Sequence, residues 1–349
     1  MAEINISGYC DPKFAKVEEV FRKNFQNGWE FEGASFAAYH KGKCVVDLHG
    51  GYADKSSLAK WTDKTKTVVF STTKAVGALC VAVLVDRGYI KYEQKIASFW
   101  PEFAQNGKED ITVLHVVNHQ KKANLDIELF IGLPPSEEYT VARLTKPSFS
   151  YFLREVWHQP SILFLIFSMV LNFSLGKGFP QALGYCDWLR PAKYITCNNP
   201  EVHFIEQTAA LGITNAKNLA KLFSLVLKGD IISKDLIENF YEPLINENDA
   251  ILSFILAKGH GFMYEPHPKK PGKWLFGHPG FGGNNVMIDP EEELIMAYVT
   301  NGIKNGNGEK TMTYRMLRDA VFDSLDKFPK GDFSTGTEGL GEAAAAMLD

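Results

Sequence analysis

Val68-Val69-Phe70-Ser71-Thr72-Thr73-Lys74 decides the reading of this chain: a short apolar run, then a serine and a lysine three positions apart at the mouth of a second apolar stretch. Val76, Leu79, Cys80, Val83 and Leu84 follow at helical spacing, and Asp86-Arg87-Gly88 supplies polar residues and a glycine stop. A buried helix is therefore expected to open here. Side chains three apart share one helix face about one turn apart, so Lys74 Nζ can approach Ser71 Oγ without help from elsewhere. A serine hydroxyl is a poor nucleophile until a neighbour takes its proton. Lysine, with an ordinary pKa of about 10.4, becomes that neighbour only where burial beside a helix N-terminus disfavours its charge. The same N-terminus offers backbone N–H groups to a developing oxyanion.

Ser-x-x-Lys alone is a weak pattern, because Ser57-Leu58-Ala59-Lys60 fits it as well. That second copy sits in a polar stretch running through Trp61-Thr62-Asp63-Lys64 with no apolar helix behind it, and reads as a surface loop. A second wall for a site is offered by His278-Pro279-Gly280-Phe281-Gly282-Gly283, where small residues admit a ligand close to the backbone and a histidine can touch its polar group. His115 and His119 share a helix face at i, i+4, but Val116 stands where a zinc protease motif requires glutamate, and no metal is expected.

Around the central segment the chain reads as strands, then helices, then strands. A helix over Lys13 to Gln26 precedes a hairpin made of Ser35 to Tyr39, a turn at Lys41-Gly42-Lys43, and Cys44 to Leu48. Trp274 to Gly277, Asn285 to Asp289 and Leu294 to Val299 form three later strands, followed by a helix from Thr311 to Leu325. The two ends are expected to meet in one antiparallel sheet flanked by the terminal helices, with an all-helical lobe beside it: an α/β (α+β) architecture. The expected boundaries are residues 1–65 with 255–328 for the sheet lobe, 66–254 for the helical lobe, and 329–349 for a loose tail.

With 349 residues and 45% hydrophobic content the chain can bury a large core. A net charge of -4, without basic blocks, excludes a nucleic-acid partner. Five scattered cysteines, Cys10, Cys44, Cys80, Cys186 and Cys197, argue against a disulfide scaffold and for reduced thiols. No leader is visible at Met1 to Asn5, so the cytoplasm is the expected compartment, with mitochondria not excluded. The apolar run Ile162 to Leu171 is shorter than the about 20 residues that span a bilayer, so no transmembrane segment is expected.

Gly50-Gly51-Tyr52-Ala53-Asp54, Phe70-Ser71-Thr72-Thr73-Lys74, Ile111 to His119 and Gly277-His278-Pro279-Gly280 together resemble the serine β-lactamase-related superfamily, closest in flavour to class C-like esterases and animal β-lactamase-like proteins. The resemblance runs from about Gly33 to Leu325. It implies a β-lactamase/transpeptidase-like fold, Ser71 as the acylated nucleophile and Lys74 as its base. It further implies that His278-Pro279-Gly280 replaces Lys-Thr-Gly, and that the N–H groups of Ser71 and Phe281 form the oxyanion hole. No cofactor is implied. The family's Tyr-x-Asn element has no counterpart: Asn118-His119-Gln120 passes through Lys121 to Asn124 directly into Leu125 to Leu129, which resembles a later part of the lobe. Tyr139, Tyr185 and Tyr194 lie downstream of the expected place, and spacing promotes none of them.

Two functions follow as expectations. One is a serine hydrolase cleaving small-molecule ester or amide substrates through acyl-Ser71. The other is a catalytically impaired relative serving as a binding or scaffold protein. A homo-oligomer is compatible with either.

Overall fold

The computed structural model describes residues 5–105, 107–116, 127–163, 167, 195–248 and 255–326. The junction near 120–125, most of the apolar run Ile162 to Leu171, Tyr185, Tyr194, Cys186 and the tail lie outside the described residues.

The chain opens with β1 (Ile6–Cys10) and α1 (Ala15–Gln26). Asp11 accepts the Lys13 N–H at 2.9 Å to start the turn into α1, and the helix turns Val17, Phe21 and Asn24 inward. A hairpin follows, of β2 (Gly33–His40) and β3 (Lys43–Asp54). Lys41 and Gly42 both have positive φ, 50° and 74°, as a two-residue turn matched to strand twist requires. Next come β4 (Ala59–Lys60), β5 (Thr67–Val68), α2 (Thr73–Asp86), β6 (Phe130–Ile131), α3 (Phe149–His158), β7 (Gly212–Thr214) and α4 (Ala216–Lys228). Strands β8 (Ile245–Asn248), β9 (Ile255–Gly259), β10 (Phe262–Pro266), β11 (Trp274–Pro279), β12 (Asn285–Asp289) and β13 (Leu294–Thr300) precede α5 (Met312–Leu325).

The main sheet runs β1-β3-β2-β13-β12-β11-β10-β9-β8, antiparallel throughout. The two ends of the chain join through β2 and β13, in register from Leu294 opposite His40 to Thr300 opposite Ala34. Both faces are covered, which explains why β13 is apolar without alternation. Leu294, Met296 and Tyr298 pack with Phe21, Tyr314 and Leu317 under α1 and α5. Ile295, Ala297 and Val299 pack with Leu79, Leu219 and Phe223 under α2 and α4.

The region between the two strand sets is not all helical. Strands β5, β7 and β6 form a second, three-stranded antiparallel sheet. Each strand is two or three residues long, too short for a period of two to register in sequence. Helix α4 and strand β8 belong to the main sheet's packing and edge, although both fall within 66–254. The β9–β10 hairpin carried a readable turn at His260-Gly261, with φ of 52° and 87°, that the pattern of large residues obscured. Among the described residues no helix is long and apolar enough to cross a membrane.

Asn301, fully buried at the end of β13, ties the sheet to its surroundings. Its Oδ1 accepts Gly33 N–H at 2.8 Å, while Nδ2 lies 3.1, 2.9 and 2.9 Å from the carbonyls of Tyr52, Ala53 and Arg143. Asn301→Ala strands these buried groups, and urea denaturation is expected to show a loss of about 3 kcal/mol. A loss below roughly 1 kcal/mol would mean that water replaces the amide there.

Candidate active site

Strand β5 pairs with β7, and Val69 N–H extends the ladder to Gly212 O at 2.8 Å. The chain then turns sharply at Phe70, a non-glycine residue with φ of 48°. Such a conformation costs about 1–2 kcal/mol. It is held because Phe70 is buried, because its carbonyl accepts Thr73 Oγ1–H at 2.5 Å, and because its ring meets Phe281 edge-on at 5.3 Å. Ser71 occupies the single helical turn Phe70–Thr72 that runs directly into α2. It is partly exposed, whereas Thr72 and Thr73 are buried.

Lys74 lies in the first turn of α2, and its Nζ donates to Ser71 Oγ at 2.9 Å and to Ala209 O at 2.7 Å. Burial lowers its pKa to about 8, and among the described residues no carboxylate pairs with its amine to oppose that shift. Sequence reasoning had no access to Ala209. A backbone carbonyl is the same whatever side chain it carries, and only the fold brings residues 209 and 74 together.

His278 is buried near the end of β11. Its Nδ1 lies 2.7 Å from Pro279 O, an acceptor, so Nδ1 carries the proton and Nε2 is bare in the neutral ring. Burial first, and the Lys74 cation second, push its pKa down to about 3. At neutral pH His278 is uncharged and a much weaker base than Lys74.

Gly280 brings the His278 strand against the Ser71 turn. A Cβ on Gly280 would fall 2.4 Å from Val69 O, 2.5 Å from Thr72 Oγ1 and 3.0 Å from Thr72 N. Gly212 does the same on the opposite side, where a Cβ would fall 2.6 Å from Thr73 Oγ1, the hydroxyl that accepts Gly212 N–H at 2.9 Å. Phe281 follows Gly280 with its ring partly exposed. Ser71, Lys74, His278, Gly280 and Phe281 are thus brought together from two separate parts of the chain. The sequence analysis missed Gly212, whose signal was a lone glycine opening an apolar strand in Leu211-Gly212-Ile213-Thr214.

Other candidates stand apart. Tyr139 is exposed in the short helix Pro135–Thr140, and among the described residues no tyrosine hydroxyl is hydrogen-bonded to Ser71 or Lys74. Ser57 lies in an exposed turn before β4, where its hydroxyl donates to Asp54 O. The backbone of His115 falls in a short turn, Val113–Val116, while His119 lies outside the described residues. Among the described residues no cluster of metal-ligating side chains occurs. Among the described residues Cys10, Cys44 and Cys197 are free thiols.

A profile of the Beta-lactamase family matches residues 21–320. Esterase/beta-lactamase LipL of Mycobacterium tuberculosis is 40% identical over 115 residues, which is 33% of this chain and 27% of that protein. The match therefore spans only about a quarter of that relative's length. A penicillin-binding protein homologue from Caulobacter crescentus superposes with a TM-score of 0.71 at 26% identity, covering 92% of this chain and 100% of that one. A family VIII carboxylesterase superposes with a TM-score of 0.74 at 24% identity and the same coverage. The fold is β-lactamase/transpeptidase-like.

The contact at Gly280 is against the Val69 and Thr72 backbone as well as the buried Thr72 hydroxyl, and cannot yield cheaply. Gly280→Ala is expected to cost about 1–3 kcal/mol of stability and to slow covalent labelling of Ser71 by a fluorophosphonate. Unchanged stability and labelling would show that the turn has room to move.

Proposed function

Because the chain belongs to the Beta-lactamase family, we propose that it is a serine hydrolase that cleaves small esters or amides through an acyl-Ser71 intermediate. The observation that carries this reading is the 2.9 Å contact between Ser71 Oγ and the amine of Lys74, whose charge is disfavoured by burial.

In the proposed cycle neutral Lys74 accepts the Ser71 proton as Oγ attacks the substrate carbonyl. The N–H groups of Ser71 and Phe281, on the two turns that Gly280 brings into contact, receive the developing oxyanion. Collapse of the tetrahedral species expels the alcohol or amine, which takes the proton from the Lys74 ammonium. Water then attacks the acyl group with Lys74 again as base, and carboxylate and free Ser71 are released. The Ala209 carbonyl, 2.7 Å from Nζ, holds the amine in line during both proton transfers. His278 contributes a neutral ring beside the reacting centre, so no second cation competes with protonation of Lys74.

Among the described residues no tyrosine hydroxyl contacts Ser71, and the proposed cycle uses Lys74 as the base in both half-reactions. Positioned proton transfer is worth about 10²- to 10⁴-fold, so modest turnover is expected. The competing expectation of a binding protein without chemistry is disfavoured by the nucleophile and base remaining in hydrogen-bond contact.

The sign of the pH dependence follows from Lys74. Its neutral form is a minor fraction at pH 7 and dominates above about 8. Fluorophosphonate labelling of Ser71 should therefore rise roughly tenfold between pH 7 and pH 9, and Lys74→Met should lower it by about 10²- to 10⁴-fold. Ser71→Ala should abolish both labelling and hydrolysis of a chromogenic short-chain ester. Ester turnover that persists in Ser71→Ala would overturn the proposal.

A further inference from the structure

Behind the His278 strand, on the side covered by α5, a single buried carboxyl reaches the base of the cleft wall. Glu265 of β10 has Oε1 accepting Asn285 Nδ2–H at 3.1 Å. Its Oε2 accepts Tyr314 Oη–H at 3.5 Å and lies 3.6 Å from Arg318 Nη1. Asn285 stands opposite Pro279 in the β11–β12 ladder. Gly308 wedges between the two, since a Cβ there would fall 2.6 Å from Glu265 Oε1 and 3.4 Å from Pro279 Cβ. Pro279 separates His278 from Gly280, the two residues that form the wall.

This carboxyl is incompletely neutralised. Arg318 is shared with Asp319 at 3.0 Å and Glu309 at 3.9 Å, and its Nη1 makes no hydrogen bond. The groups facing Glu265 are Arg318 and Tyr314 from α5, Glu309 from the turn before α5, and Asn285 from β12. Burial raises the Glu265 pKa to about 7 against the pull of Arg318 and Asn285. Above that value the carboxylate accepts from Asn285 and Tyr314 together. Below it, one oxygen carries a proton and accepts less well.

We propose that Glu265 is a positioning residue: its carboxylate fixes the Pro279–Asn285 pair, and through it holds His278 and Gly280 against the Ser71 turn, while its protonated form leaves that wall looser. The effect on rate rests on the hydrolase reading above. The effect on His278 does not.

The test is an imidazole NMR titration of the full chain from pH 5.5 to 9, alongside pH profiles for a chromogenic short-chain ester. His278 stays neutral over this range, so its ring signals report its neighbours. The wild type is expected to show one step near pH 7 and one near pH 8 from Lys74, with KM falling about three- to tenfold through the first. In Glu265→Gln the first step should vanish from both the ring signals and KM, while the Lys74 limb of kcat remains. Superimposable titrations in the two proteins would overturn the proposal. A pH 7 step without ester turnover sustains the positioning role and sinks the hydrolase reading; turnover without that step does the reverse. Should Glu265→Gln fail to fold, Tyr314→Phe withdraws a donor from the ionised carboxyl and should move the first midpoint upward. An unmoved midpoint would again overturn the proposal.

Discussion

Everything at this site depends on two glycines whose missing side chains let neighbouring strands close on the Ser71 turn. Gly212 presses on Thr73 from the small sheet, and Gly280 presses on Val69 and Thr72 from the main sheet. The turn is thereby clamped through its neighbours, and Ser71 itself stays partly exposed. The clamp also explains how Phe70 persists at a positive φ: the conformation is over-determined by its buried ring, the Thr73 hydrogen bond and the strand pairing that precedes it.

The electrostatics follow from what Lys74 lacks. Lys304 and Lys66 are also buried, but each faces a carboxylate, Glu30 at 2.7 Å for the first and Glu128 at 2.9 Å for the second. An opposite charge favours the ammonium. Among the described residues the hydrogen-bond partners of Lys74 Nζ are a hydroxyl and a carbonyl, and desolvation lowers its pKa. The neutral His278 is the complement of this arrangement, since a second cation in the same cleft would cost Coulomb energy in a medium that screens poorly.

The wall opposite Ser71 is not independent of the rest of the sheet. Lys304 N–H bonds Gly282 O at 3.0 Å, and Gly280 N–H bonds Asn284 O at 2.7 Å, so the turn after His278 is braced from both sides. Glu265 and Asn285 extend that bracing to the α5 face. A site assembled from sheet and helix N-terminus in this way inherits the rigidity of a core packed on both faces.

Local pattern was enough wherever one element carried its own signal. The helix behind Ser71, the hairpin closed at Lys41-Gly42, the three late strands and the pairing of Ser71 with Lys74 all rest on spacing within a few residues, and the observed β2, β3, α2 and β11 to β13 occupy those positions. The strands of two or three residues, the Ala209 carbonyl and the clamp by Gly212 were not legible, because none has a side-chain period and each depends on which distant segment the fold brings alongside. By itself, then, the sequence determined which residues could supply a nucleophile and a base, since side-chain chemistry and helical spacing are local. Only the tertiary structure decided that the lysine is desolvated and that the histidine is neutral beside it, because desolvation depends on what the whole chain packs around a group.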